Sequence, residues 1–80
     1  MRITLSGTVF EITRKDIEKK LRGIEPEEGR AKYFIDIGGK NYPIKQTLSQ
    51  TLNLPGVAFS SHQAFAILKK LGFKIIEKVN

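Results

Sequence analysis

The chain has no cysteine and no tryptophan, and it has one histidine, one methionine and three prolines. Without cysteine there are no disulfides and no thiolate metal sites. With His62 as the sole imidazole, no His/Cys/Asp/Glu metal cluster is expected. Long apolar runs are lacking too. The longest spans Ala64 to Leu68, far short of the ~20 residues needed to cross a bilayer. The segment Met1 to Ser6 lacks the apolar core of a signal peptide. These absences read as a cytoplasmic protein with no membrane partner. Neither G-x-x-x-x-G-K-[ST] nor G-x-G-x-x-G occurs. Gly38-Gly39-Lys40 reads instead as a hairpin. Ser60 and Ser61 lie beside the only histidine, but helix capping accounts for them. No convergent catalytic set is seen, so the expectation is a non-enzyme without cofactor or metal.

What is present is positive charge, unevenly spread. The 80 residues carry a net charge of +6. Residues 1–30 hold seven Lys/Arg against six Asp/Glu, a balance of +1; residues 31–80 hold seven Lys against Asp36 and Glu77, a balance of +5. Such asymmetry points to a polyanionic partner, or else to a lysine-rich surface that serves solubility. Eighty residues make one small domain, here residues 1–80, with a small core. Hydrophobic content of 40% with five Phe and two Tyr suffices for a globular fold.

In chain order, Arg2 to Leu5 alternates polar and apolar and reads as a short strand. Ser6-Gly7 interrupts it, either as a tight hairpin turn or with Gly7 marking a bulge. Thr8 to Ile12 resumes as β-branched and aromatic sequence. Thr13 opens a helix, with Asp16 at capping-box spacing and Ile17, Leu21 and Ile24 toward the core. Arg14 and Lys15 read as solvated charges that could touch phosphate. Glu25 to Arg30 is an acidic loop. Lys32 to Ile37 is a strand, Gly38-Gly39 a hairpin turn, and Lys40 to Tyr42 the partner strand. Pairing is expected to stop at Pro43, which can begin a second helix. That helix runs to about Asn53. Ile44, Leu48 and Leu52 form its buried stripe, and Gln46, Ser49, Gln50 and Asn53 its polar face. Lys45, at the edge of the stripe, can lay its methylenes on the core and fix its ammonium in one place. Leu54, Val57 and Phe59 should pack the connection onto the domain. Phe73 to Val79 is the closing strand.

The most informative stretch is Ser60 to Phe73. Ser60 or Ser61 can cap a helix, and Gly72 can end it. Ala64, Phe65, Ile67, Leu68 and Leu71 form one apolar face. The opposite face reads His62, Gln63, Ala66, Lys69, Lys70. It is either a surface for a DNA groove or a solvated face with lysines at the favourable dipole end. The fold expected is therefore α+β: a small, mostly antiparallel sheet with three helices in the order β(β)αββααβ, with a winged-helix-like C-terminal half.

Lys40-Asn41-Tyr42-Pro43-Ile44-Lys45, followed by Phe59 and by Leu68-Lys69-Lys70-Leu71-Gly72-Phe73-Lys74-Ile75, resembles a known pattern. It is similar to the small N-terminal domain of prokaryotic modification-dependent HNH restriction endonucleases, and to small prokaryotic proteins that share a Y-P-x-K … L-x-x-L-G-F pattern. The likeness covers about residues 33–76. It implies a DNA-facing module in which Lys45 and the third helix are the matching parts. No HNH motif follows in this sequence, so cleavage is not carried over, and Ser60-Ser61 stand where those domains tend to have Gly-Gly. Ala64 to Ile76 also resembles a segment of small mRNA-interferase toxins with a double-stranded-RNA-binding-like fold. No histidine follows Gly72 here, so ribonuclease activity is not expected.

Two functional readings result. In the first, Lys40, Lys45, Ser60, Ser61, His62, Gln63, Lys69, Lys70 and Lys74 contact nucleic acid, double-stranded DNA first and RNA second. Stacking of Tyr33, Phe34 or Tyr42 on single-stranded bases is a variant of it. In the second, the protein is an interaction module whose basic face or exposed strand edge meets a protein partner.

Overall fold

The computed structural model of the chain describes residues 1–78. Its strands grow from two tight turns. Ser6 and Gly7 take φ of 51° and 76°, and Gly38 and Gly39 take 61° and 85°. Two successive positive φ values make a type I′ turn, whose twist suits the flanking strands. The first turn folds β1 (Arg2–Leu5) onto β2 (Thr8–Glu11), with Leu5 opposite Thr8. At Ser6-Gly7 the hairpin turn is thus the arrangement found. The Ser6 hydroxyl also donates to the Ala58 carbonyl, which ties this turn to a distant connection. The second turn folds β3 (Tyr33–Ile37) onto β4 (Lys40–Pro43), with Ile37 opposite Lys40.

The helices form where caps and apolar spacing coincide. Thr13 and Asp16 make the expected capping box at the start of α1 (Arg14–Leu21), which buries Ile17 and Leu21. Ile24, beyond its end, is half-buried. Next, α2 (Ile44–Leu52) buries Ile44 and Leu48 and ends at Asn53 in the left-handed conformation. A single 3-10 turn, Gly56–Ala58, leads to α3 (Ser61–Lys70), and β5 (Ile76–Glu77) follows. The fold is α+β with three helices and antiparallel strands, in the order expected. The strands form two sheets rather than one: β1–β2, and β4–β3–β5. Both edges of β3 are occupied, by β4 and by β5, so the N-terminal hairpin has no free central strand to join. It is attached through its side chains instead. Ile3, Leu5 and Ile12 enter one core with Ile17, Leu21, Ile35, Leu48 and Leu68.

Several local expectations are revised. Pro43 remains in the ladder, opposite Phe34, and serves as the N-cap of α2 rather than its first helical residue. A proline is tolerated there because β4 is an edge strand and the missing N–H faces away from the ladder. Gln46 is buried, not part of an exposed polar face. Its amide accepts from Glu27 N at 2.8 Å and donates to Glu25 O at 2.9 Å, so it holds the acidic loop against α2. Val57 does not pack onto the domain; it is 93% exposed, while Phe59 and, in part, Leu54 turn inward. The closing strand is confined to Ile76–Glu77 because Phe73 turns into the core instead of running along the sheet; Val79 lies outside the described residues. Arg14 is not simply solvated. Its guanidinium lies 4.6 Å from the centre of the Phe73 ring and donates to Gly72 O at 2.9 Å, which latches α1 to the end of α3.

Tyr42 is buried, and its hydroxyl lies 2.6 Å from Ile24 O and 3.3 Å from Leu21 O. Tyr42→Phe removes the hydroxyl donor of the Ile24 carbonyl, while Leu21 O keeps its bond from Ile24 N at 3.0 Å, and it is expected to destabilise the fold by about 1–2 kcal/mol. Val57→Ser, at an exposed site, should stay within about 0.5 kcal/mol of the parent. Urea unfolding of the two variants beside the parent checks both values.

Candidate nucleic-acid interface

The α3 helix is built by its two caps. Ser60 Oγ accepts from Gln63 N at 3.1 Å, and Gln63 Oε1 accepts from Ser60 N at 2.9 Å. This reciprocal pair satisfies two donors of the helix start. Ser60 and Gln63 therefore hold the helix itself, and the Gln63 amide nitrogen is the part left to face a ligand. At the other end Gly72 takes φ of 92°. Gly72 N donates to Lys69 O at 3.0 Å and Phe73 N to Leu68 O at 3.1 Å, the two bonds of a Schellman motif. Between the caps, Ala64, Ile67 and Leu68 are buried, while Ser61, His62, Gln63, Ala66, Lys69 and Lys70 are exposed. The face read from the sequence is the face the fold leaves outside.

Some of the basic residues around α3 are placed by aromatic rings. Lys45 is half-buried, with its Nζ 5.7 Å from the centre of the buried Phe59 ring. Lys69 Nζ lies 5.9 Å from the Phe65 ring, Phe65 meets Tyr33 edge-on at 5.2 Å, and Lys32 Nζ lies 5.6 Å from Tyr33. A cation beside a ring face is held without losing its charge. Some, including two of these, lack a counter-charge. Lys45, Lys69, Lys70, Lys74 and Lys78 make no ion pair among the described residues, and Glu77, the one carboxylate after Asp36, pairs with Lys32 at 3.5 Å.

A family model matches residues 1–80, over every element from β1 to β5. The chain belongs to the SCO5918-like family. No curated protein and no solved structure matches it.

The fold brings some of the sequence-chosen residues together and sets others apart. Lys45 and Ser61 line one cleft of about 380 Å³, which also includes Arg30, Lys32 and Tyr33 and is bordered by Glu27 and Glu28. Sequence reasoning had no signal for Arg30 or Lys32 at this place, because they reach it through an irregular loop. Lys74 is exposed in the segment between α3 and β5. Lys40 is elsewhere, in a cleft with Glu18 and Arg22 near the end of α1, and its Nζ pairs with Glu25 at 3.0 Å. Of the three stacking candidates, Tyr42 is buried, and Tyr33 and Phe34 are half-buried. Among the described residues no three His, Cys, Asp or Glu could hold a metal ion, and no helix is long and apolar enough to cross a membrane.

Glu25 raises the Lys40 pKa above its ordinary value of 10.5, first through the hydrogen bond and then through its charge. A cation whose pKa is raised by folding stabilises the fold fully below its unfolded-state pKa, and that stabilisation is lost as pH rises through the folded-state value. The urea midpoint should therefore decline on the alkaline side of the lysine range. Glu25→Gln should flatten that part of the decline, which a comparison of midpoints at about pH 8 and about pH 11 measures.

Proposed function

We propose that the protein binds nucleic acid, with double-stranded DNA the favoured ligand, and that it does so without catalysing a reaction. One observation carries this reading. The five lysines from Lys45 onward keep their charge uncompensated by any ion pair among the described residues; of these, Lys69 and Lys70 lie on the exposed face of α3, and Lys45 shares a cleft with Ser61 at its start. Phosphate neutralisation by such side chains releases counterions, which drives sequence-tolerant association. The resemblance of Tyr42-Pro43-Ile44-Lys45 and Leu68 to Phe73 to a DNA-facing domain supports the same reading.

Within it, Lys69, Lys70, Lys45 and Lys74 contact phosphates. His62, Ser61 and the Gln63 amide nitrogen are the polar groups offered to base edges. That set is small, because Ser60 and the Gln63 carbonyl are committed to the cap. Affinity then comes from phosphates and little sequence discrimination is expected. A wide major groove admits a helix, whereas the narrow, deep major groove of A-form RNA does not, which ranks RNA second. The reading places the protein in the cytoplasm, beside nucleic acid. Lys40 is set outside the interface, since Glu25 engages it.

Fluorescence anisotropy with a labelled DNA duplex tests the proposal. Plotted as log affinity against log salt, the slope should be about −0.9 per phosphate engaged, and Lys69→Ala/Lys70→Ala should make it shallower by about 2. Lys40→Ala should leave it unchanged. Absence of binding at low salt, or binding that salt does not weaken, would overturn the reading.

A further inference from the structure

Strand β1 is bonded along one edge only, to β2. The register determines which of its main-chain groups are used. In an antiparallel pair, alternate residues exchange both bonds with the partner, and the residues between them direct N–H and C=O to the other side. Met1 and Ile12 exchange both bonds, at 2.9 and 2.8 Å. Ile3 and Leu5 are therefore the next bonded positions, and Arg2 and Thr4 point their main-chain groups outward. Among the described residues neither Arg2 nor Thr4 has a main-chain partner from outside the hairpin. Two residues of ladder stand open.

A groove of about 380 Å³ follows this edge. One wall is Met1 to Leu5, five consecutive residues. Successive side chains of a strand point to opposite faces, so an unbroken run of lining residues marks the edge and not a face. The other wall is Gln63, Ala66, Ile67 and Lys70, the i, i+3, i+4, i+7 stripe of a helix. Ala66 is exposed and carries a single methyl, which leaves lateral room; Ile3 and Ile67 supply apolar floor. The charged residues of the groove are Arg2 and Lys70, and no carboxylate lines it. Glu11 touches Arg2 from outside, at 3.2 Å to Nε. An exposed pair of this kind is weak, and the rest of the guanidinium fork can take a second carboxylate.

We propose that this groove takes an extended, acidic peptide segment of another protein, added as a third strand beside β1 and lying against α3. Main-chain bonds to Arg2 and Thr4 would fix the segment, Ala66 and Ile67 would receive its apolar side chains, and Arg2 and Lys70 would pair with its carboxylates. A nucleic acid has no alternating N–H and C=O to match the open ladder, so these groups favour a peptide. The site lies on the flank of α3 opposite Phe65 and Tyr33; it shares Gln63 and Lys70 with the nucleic-acid reading, whereas Arg2, Thr4 and the open ladder take no part in that reading.

The test is selection of a random linear peptide library on the full-length chain, followed by titration of the enriched synthetic peptides into the ¹⁵N-labelled protein. Enriched sequences should alternate apolar residues with Asp or Glu, and the amide signals of Arg2 and Thr4 should move. Thr4→Pro removes an outward donor without touching the β1–β2 bonds and should weaken binding by about tenfold or more. Lys70→Glu, a surface change, should also weaken binding, and a peptide with Lys in place of its acidic residues should restore it. The proposal fails if no sequence is enriched, if binding survives both variants, or if light scattering shows the edge already paired with a second copy.

Discussion

The structure depends on α2 being enclosed on almost every side. It packs against α1, α3, β3, β4 and the 3-10 turn, and of its nine residues only Gln50 is fully exposed. A helix so placed buries Gln46 and Thr47 and half-buries Ser49 and Thr51, and polar side chains withdrawn from water need partners within the protein. Gln46 bonds the 25–27 loop, Thr47 bonds Pro43 O at 2.9 Å, Thr51 bonds Thr47 O at 2.7 Å, and Ser49 bonds the Leu54 carbonyl. These bonds do more than satisfy donors. Gln46 fixes the 25–27 loop against the helix, and Ser49 fixes the start of the connection that leads to α3.

Charge is distributed by the same placement. The acidic residues are concentrated before Ala31, and the fold uses several of them there: Glu11 with Arg2, Glu18 with Arg14, and Glu25 with Lys40. These exposed pairs add little stability one by one. Their larger consequence is which cations they leave unpaired. Of the cations left unpaired among the described residues, Lys45, Lys69, Lys70, Lys74 and Lys78 follow residue 44, where Glu77 is the one Asp or Glu, and Lys69 and Lys70 lie on the outer face of α3, which carries no acid. The C-terminal half is thus basic by composition, and it remains so in three dimensions because Glu77 is taken by Lys32.

The N-terminal hairpin contributes in another way. Separate from the main sheet, it keeps outer edges of its own, and that of β1 borders the groove beside α3. Open edges of soluble proteins are usually short or charged, and β1 is both, with four residues and Arg2 at its start. Ile3 and Ile67, both core residues, line the groove between that edge and α3, and Ala66 puts only a single methyl into it.

Much of this was written in the sequence. The Thr13/Asp16 capping box, the Gly38-Gly39 turn, the stripe Ile17/Leu21, the apolar face of α3 and its Gly72 stop are local patterns, set by spacing of three or four residues and by the few residue types that accept positive φ. Ser6-Gly7, by contrast, read equally as turn or bulge, and the bond that commits Gln63 to Ser60 was not read. The exposed face His62, Ala66, Lys69 and Lys70 follows from that periodicity alone. What the sequence could not specify depends on residues far apart in the chain. Gln46 looked like a surface residue until the 25–27 loop was seen to cover it. Arg14 looked solvated until Gly72 and Phe73 arrived beside it, 58 positions away for the hydrogen bond. Lys40 looked free until Glu25 was found next to it, and the open edge of β1 had no sequence signal, since only the pairing of β3 with β5 decides which strand is left out. Periodicity and capping act within a turn or two of backbone and are legible one residue at a time; partners for buried polar groups and charges are chosen by the packed whole.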